Sequence, residues 1–313
     1  MRYPVERPVV ILVGPTAVGK TALALALAGE LGAEIISADS RLFYRGMDIG
    51  TAKPTKEDLR SVPHHLIDIA EPDQTYSLAL FQREALRIIN DIHSRGKLPL
   101  VVGGTGQYVR AITEGWTIPP QQPDERMRAA IEAWAEEIGA QELHARLALL
   151  DPEAAEKIDW RNRRRTVRAL EVIFNTGRRF SEQRTKGALP YRYKIIGLKR
   201  ERAELYARID ARIGQMLADG FVDEVRGLLA KGYAPDAPAL SAIGYCEMAA
   251  TIKGEMSLDE AVVLIKRRTR QFVRRQANWF KENDPKIRWF EMNAPAQAAV
   301  KAYILSAEGW QVE

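Results

Sequence analysis

Cysteine is almost missing from this chain: Cys246 is the single example. One thiol cannot close a disulfide within the chain, which suits a reducing, cytoplasmic setting. A nucleophilic thiol needs a base beside it, and the residues around Cys246 offer none, so it reads as a structural thiol. Histidine is scarce as well, and His64, His65, His93 and His144 show no metal-ligand spacing. No stretch approaches the roughly 18 apolar residues of a membrane-spanning helix. The first apolar stretch runs straight into a glycine motif that must stay folded, so it is not read as a signal peptide. Repeats and low-complexity segments are missing too. These absences argue against a disulfide scaffold, a His/Cys metal cluster and a membrane helix.

What is present suits a soluble enzyme. The 313 residues, 46% of them apolar, suffice for two domains or for one domain with a large insertion. Lys and Arg outnumber Asp and Glu by 46 to 41, a net charge of +5. Residues 8–13 read as a buried strand, 14–19 as a loop and 21–31 as an Ala- and Leu-rich helix ended by Gly32. A second strand over 34–38 stops at Asp39-Ser40. A helix over 75–94 leads into a strand over 98–102. This alternation predicts an α/β fold, a doubly wound parallel sheet. After about residue 113 the pattern turns helical and densely charged, with breaks at Pro119-Pro120 and Asp151-Pro152. Residues 193–198 return to the sheet, and long helices follow over 201–231 and 257–283. The expected plan is a core over 1–115 and 193–313, interrupted by a helical insertion over 116–192.

Gly14-Pro15-Thr16-Ala17-Val18-Gly19-Lys20-Thr21 matches the phosphate-binding P-loop pattern. The glycines let successive amides turn inward, and the helix that starts there adds its positive dipole end. Lys20 supplies a point charge for terminal phosphates, and the Thr21 hydroxyl can hold Mg2+. The pattern specifies phosphate or diphosphate, not ATP. Asp39 is expected at the carboxyl end of the second strand, on the ligand edge of the sheet. It could be a general base, a helix cap or a partner of magnesium. Gly103-Gly104-Thr105-Gly106 forms a second small-residue loop, either a ligand approach or a simple turn. Arg208 and Arg212 share one helix face, where one could reach a diphosphate or both could simply be solvated.

Two basic segments point toward a polyanion. Arg161, Arg163, Arg164, Arg165 and Arg168 follow Trp160 within the insertion. Lys266, Arg267, Arg268, Arg270, Arg274, Arg275 and Lys281 crowd a helix that also carries Phe272, Trp279 and Phe280. Arginines release counterions from a phosphate backbone, and aromatic rings stack on unpaired bases.

At this point the residues resemble the tRNA dimethylallyltransferases, also called tRNA isopentenyltransferases. The resemblance runs through the P-loop motif, Ile36-Ser37-Ala38-Asp39-Ser40 and Met47-Asp48-Ile49-Gly50-Thr51-Ala52-Lys53-Pro54. It continues through Pro63-His64-His65, Gly103-Gly104-Thr105-Gly106 with Tyr108, Arg168-Ala169-Leu170-Glu171, Ile243-Gly244-Tyr245 and Arg275-Gln276. The stretch from Ile49 to Pro54 is the most specific, because ordinary P-loop kinases lack it.

The resemblance implies a P-loop NTPase/kinase-like core with a helical insertion that grips the tRNA anticodon stem-loop. It implies dimethylallyl diphosphate as donor and, as acceptor, the 6-amino group of the adenine 3′ of the anticodon, in tRNAs reading codons that begin with U. By that resemblance Asp39 is the base, Thr105 and Arg212 lie at the reacting centre, and Lys20 acts with the rest of Gly14–Thr21 on the diphosphate. RNA contacts fall to Asp39, Ser40, Arg41, Leu42, Thr105, Arg128, Arg164, Arg165, Thr166, Val167, Arg168 and Arg275. A monomer free of membrane is expected. Leu42, Asn162, Ser241, Cys246 and Asn278 depart from the usual pattern. Two rivals remain: a small-molecule kinase, and an RNA-binding NTPase without transfer chemistry.

Overall fold

Val9 to Val13 are completely buried, as an unbroken apolar run requires when both faces of a parallel strand are covered. The computed structural model describes residues 3–117, 124–183, 185–293 and 295–311. Its strands are β1 (Pro8–Val13), β2 (Ala33–Ser37), β3 (His64–His65), β4 (Leu98–Gly103), β5 (Trp116–Thr117), β6 (Thr185–Lys186), β7 (Arg192–Lys199) and β8 (Ile287–Glu291). Its helices are α1 (Lys20–Leu31), α2 (Lys56–Ser61), α3 (Leu78–Ser94), α4 (Gly106–Thr113), α5 (Glu125–Ile138), α6 (Ala140–Leu150), α7 (Pro152–Lys157), α8 (Arg163–Thr176), α9 (Arg202–Ala218), α10 (Phe221–Ala230), α11 (Tyr245–Ile252), α12 (Leu258–Trp279) and α13 (Ala296–Leu305).

The chain forms two compact units, one of Met1–Thr113 with Leu189–Glu313, the other of Glu114–Ala188. Residues 189–192, read from sequence as the end of the insertion, belong to the sheet unit. Tyr191 fixes them there: it is buried, and its hydroxyl donates to the Ile112 carbonyl at 2.7 Å.

The first unit is an α/β fold of the P-loop type. Its six-stranded sheet has the order β3-β2-β4-β1-β7-β8, with every pairing parallel. β1 lies inside it, with Val10 opposite Leu100 on one side and Lys194 on the other. The carboxyl ends of β2, β4, β1 and β7 therefore stand side by side, and the loops that follow them make one edge.

Local chemistry sets the helix limits. Gly32, at φ 63°, ends α1 by donating its N–H to Ala28. The helix expected from residue 75 starts at Leu78, because the Ser77 hydroxyl caps it by accepting from the Leu80 N–H at 3.2 Å. The single helix expected over 201–231 is two, α9 and α10, parted at Asp219-Gly220, where Gly220 has φ 94°. α12 begins in a capping box of Ser257 and Glu260 and ends at Trp279, short of the expected 283, as Phe280 turns into the core.

The second unit packs Ile131, Ala135, Leu143, Leu147, Val167 and Leu170 into its own core. Buried Asp151 caps α7 through the Ala154 N–H and also accepts from the Ser181 N–H, at 3.0 and 2.8 Å. β5 and β6 pair antiparallel. The Pro119-Pro120 break lies outside the described residues. Among the described residues no helix is long and apolar enough to cross a membrane.

Candidate active site

The loop after β1 is shaped by three residues with positive φ: Gly14 (152°), Ala17 (68°) and Gly19 (112°). A Cβ on Gly14 would sit 2.7 Å from the Leu198 carbonyl oxygen, so only glycine lets the loop lie against β7. Its carbonyls are claimed by cations. Lys20 Nζ donates to Gly14 and Pro15, each at 2.9 Å, Arg208 Nε to Ala17 at 2.8 Å and Arg200 Nε to Val18 at 2.9 Å. In a trans peptide the next N–H points away from the carbonyl, so tying the Val18 carbonyl to Arg200 aims the Gly19 N–H the other way. The start of α1 carries no side-chain cap and no acid in its first turn. Those uncapped amides and the helix dipole favour a phosphate there.

Charge concentrates at the same place. Burial draws the Lys20 ammonium down to about 8; Asp39 opposes that shift, and Arg212 reinforces it. Arg212 is lowered mainly by burial, then by Arg208, with Asp39 again opposing. Lys20 and Arg212 thus feel each other's field and that of Asp39, and Arg212 also feels that of Arg208. Two cations that disfavour each other's charge are relieved when an anion comes between them.

Asp39 reaches this cluster because β2 and β4 end together. The Ala38 N–H donates to the Val102 carbonyl at 2.8 Å, and a Cβ on Gly103 would overlap the Ala38 carbonyl. Asp39 Oδ1 accepts from the Arg41 N–H at 3.0 Å, and Thr105 Oγ accepts from the Ser40 N–H at 3.4 Å. Segment 39–45 is held from behind as well. Phe43 is fully buried and stacks on Tyr108 of α4 at 5.7 Å. Arg41 donates to the carbonyls of Pro238 and Ala239 at 3.3 and 3.4 Å.

The stretch singled out between Met47 and Pro54 braces this segment. The Glu224 carboxylate accepts from the N–H groups of Asp48, Ile49 and Gly50 at 2.8, 2.7 and 3.1 Å and from the Tyr245 hydroxyl at 2.6 Å. Lys53 Nζ, with its side chain 4% exposed, bridges Asp48, Asp68 and the Tyr44 carbonyl.

The sheet unit therefore gathers Gly14–Thr21, Asp39, Ser40, Arg41, Leu42, Thr105 and Arg212 along one edge. Arg275 is exposed on α12, beside the buried Gln276. Arg128, Arg164, Arg165, Thr166, Val167 and Arg168 belong to the second unit. There Glu171, fully buried, receives Arg128 at 3.1 Å and Arg168 at 3.0 Å. Arg164 and Arg165 are exposed. Thr166 and Val167 are 0% and 2% exposed, so their side chains pack inside the unit.

Of the departures from pattern, Asn162 still caps α8 through the Arg165 N–H at 3.2 Å. Cys246 donates to Glu247 at 3.0 Å, and burial with that carboxylate pushes its thiol up to about 11, away from nucleophilic use. Sequence reasoning gave no role to Gln276, Glu224 or Glu171. Their common signal is a polar group on a core-facing helix position. Gln276 shares the buried side of α12 with Ala261 and Ile265.

Residues 42–283 match the family model described as IPP transferase, and residues 7–71 that of isopentenyl transferase. The chain is similar to the tRNA dimethylallyltransferase of Thermomicrobium roseum, with 50% identity over 93% of this chain and 88% of that protein. Against that of Dehalococcoides mccartyi, identity is 46% over 94% and 90%. Among solved structures it resembles the tRNA isopentenylpyrophosphate transferase of Bacillus halodurans, with TM-score 0.71 and 42% identity, covering 96% of each chain. It also resembles a eukaryotic dimethylallyltransferase acting on tRNA, with TM-score 0.78 and 26% identity, covering 95% of this chain and 78% of that one.

Proposed function

The chain belongs to the IPP transferase family, and from that premise we propose that it moves a dimethylallyl group from dimethylallyl diphosphate to the 6-amino group of the adenine 3′ of the anticodon, in tRNAs reading codons that begin with U. It acts as a cytoplasmic monomer. The observation that carries this reading is the shared edge. A phosphate cradle, Lys20 and Arg212 stand beside a carboxylate, Asp39, and a hydroxyl, Thr105, borne by the neighbouring strand ends.

An adenine amino group is a weak nucleophile, because its lone pair is delocalised into the ring. The site helps at both ends of the reaction. Loop amides, Lys20 and Arg212 stabilise the diphosphate as the carbon–oxygen bond breaks and the electron pair leaves with it. The allylic carbon spreads the developing positive charge. As the new carbon–nitrogen bond forms, Asp39 accepts the proton from the amino group. Thr105, whose oxygen already receives the Ser40 N–H, can donate its own hydrogen toward the incoming base. The base must leave its stack, which is least costly in a loop. Thr21 is exposed at the start of α1, directly after Lys20. Its hydroxyl would hold a magnesium ion beside the phosphate loop, and that ion would neutralise leaving-group charge. On the second unit, Arg128, Arg164, Arg165 and Arg168 serve the RNA backbone.

The test is to incubate the protein with tRNA and either dimethylallyl diphosphate or ATP, then weigh the digested nucleosides. An adenosine heavier by one isopentenyl unit, formed only with the allylic donor, is the expected outcome. Phosphate transfer from ATP, or RNA-stimulated ATP hydrolysis with unchanged nucleosides, would overturn the reading in favour of a kinase or an RNA-dependent NTPase.

A further inference from the structure

Donor and acceptor groups ride on different loops of this site, and one side chain from a third element joins them. Gln276, 5% exposed on α12, uses both ends of its amide. Its Oε1 accepts from the Thr16 N–H at 2.9 Å, and its Nε2 donates to the Gly104 carbonyl at 3.2 Å. One partner is a donor and the other an acceptor, so the amide has a single satisfactory orientation. The neighbouring glycines make room for this helix. A Cβ on Gly104 would overlap Gln276 Nε2, and a Cβ on Gly106 would overlap the Trp279 ring, one turn further along α12. The loop on both sides of Thr105 is thereby covered by a single stretch of helix.

We propose that Gln276 is a positioning residue that fixes the spacing between the diphosphate cradle and the Thr105–Asp39 side of the site. The proposal deepens the functional reading above and rests on it. Displacement at carbon requires the leaving oxygen, the carbon and the attacking nitrogen to fall nearly in line, and a misplacement of about 1 Å can cost about 10²-fold. An allylic diphosphate held near water but out of line with the amine has a second outlet. Water oxygen bonds to the carbon, diphosphate leaves with the electron pair, and a proton passes to solvent, giving dimethylallyl alcohol. Loosening the bridge between the loops therefore lowers transfer and raises this hydrolysis, while each substrate still binds its own loop.

The experiment compares the full chain with Gln276→Met, which keeps length and burial but loses both hydrogen bonds, and with Gly104→Ala, which keeps Gln276 but pushes its amide aside. Diphosphate released and nucleoside modified are counted together at saturating tRNA, and donor and tRNA affinities are measured by direct binding. Both variants should lose about 10- to 10²-fold in kcat for modification. Their affinities should shift by less than about threefold, and diphosphate released per modified nucleoside should exceed the unmutated protein's ratio. Two results would overturn the proposal: Gln276→Met with unchanged kcat and an unchanged ratio, or a kcat loss matched by an equal loss of donor binding. If Gln276→Met does not fold, Gly104→Ala with an unchanged ratio overturns it alone. Failure of the unmutated protein to modify tRNA would instead remove the functional reading beneath.

Discussion

At Lys20 the balance of forces is unusually fine. Burial and Arg212 both work against its charge, and Asp39 supports it. In the free protein the ammonium is present below about pH 8 and is lost above it. Affinity for dimethylallyl diphosphate should therefore fall as pH rises through 8. Asp39→Asn removes the supporting charge, so the same fall should begin at lower pH. Calorimetric titration across pH checks both statements, and identical profiles for the two proteins would contradict the coupling. Asp39 has a separate, chemical role to test. Asp39→Ala should lower turnover by about 10²–10⁴-fold with little change in tRNA affinity; near-normal turnover would remove it as the base. The phosphate loop and Asp39 were legible in the sequence because each is a local pattern, a motif in one case and a strand end in the other. Gln276 was legible only as part of a family motif, and its bridging role was not, because its two partners are 260 and 172 residues away in the chain.

Among the elements, α8 shows what periodicity can and cannot tell. A run rich in arginine reads as a basic surface, yet the helix turns Thr166, Val167, Ala169 and Leu170 inward and leaves Arg164 and Arg165 outside. Arg165→Ala should weaken tRNA binding and reduce the slope of log affinity against log salt by about one. Binding measured over a salt series decides this, and an unchanged slope would place Arg165 off the phosphates. The same periodicity carried the reading of residues 201–231 straight through Gly220, because α9 and α10 are both amphipathic and only the backbone turn at φ 94° separates them. β3, with two residues, is too short to carry any alternation. Its place in the sheet comes from pairing with β2.

For the molecule as a whole, acid should be the sensitive direction. Glu34 is 1% exposed at the start of β2. Burial alone would raise its carboxyl, but hydrogen bonds from Arg95, Lys97 and His65 outweigh that and bring it to about 2, from an ordinary 4.5. A depressed carboxyl contributes stability that is fully present above the unfolded value and drains away as pH falls toward the folded one. Denaturant midpoints should therefore drop between pH 4.5 and 2, and Glu34→Gln should be less stable at neutral pH with a shallower decline across that window. Equal slopes in the two proteins would assign the acid sensitivity elsewhere.

The placement of β1 between β4 and β7 also dictates an order of birth. A ribosome delivers β1 to β4 early, then the whole of Glu114–Ala188, and only afterwards the strand at Arg192–Lys199. Until that strand emerges, β1 has one unsatisfied flank, the kind of edge that recruits foreign strands. Arg200, Arg208 and Gln276, which clasp the motif at Gly14, arrive later still. The nascent chain thus carries its most recognisable signature long before it can grip a phosphate, and a product cut short before Arg192 would be a sticky fragment instead of a slow enzyme.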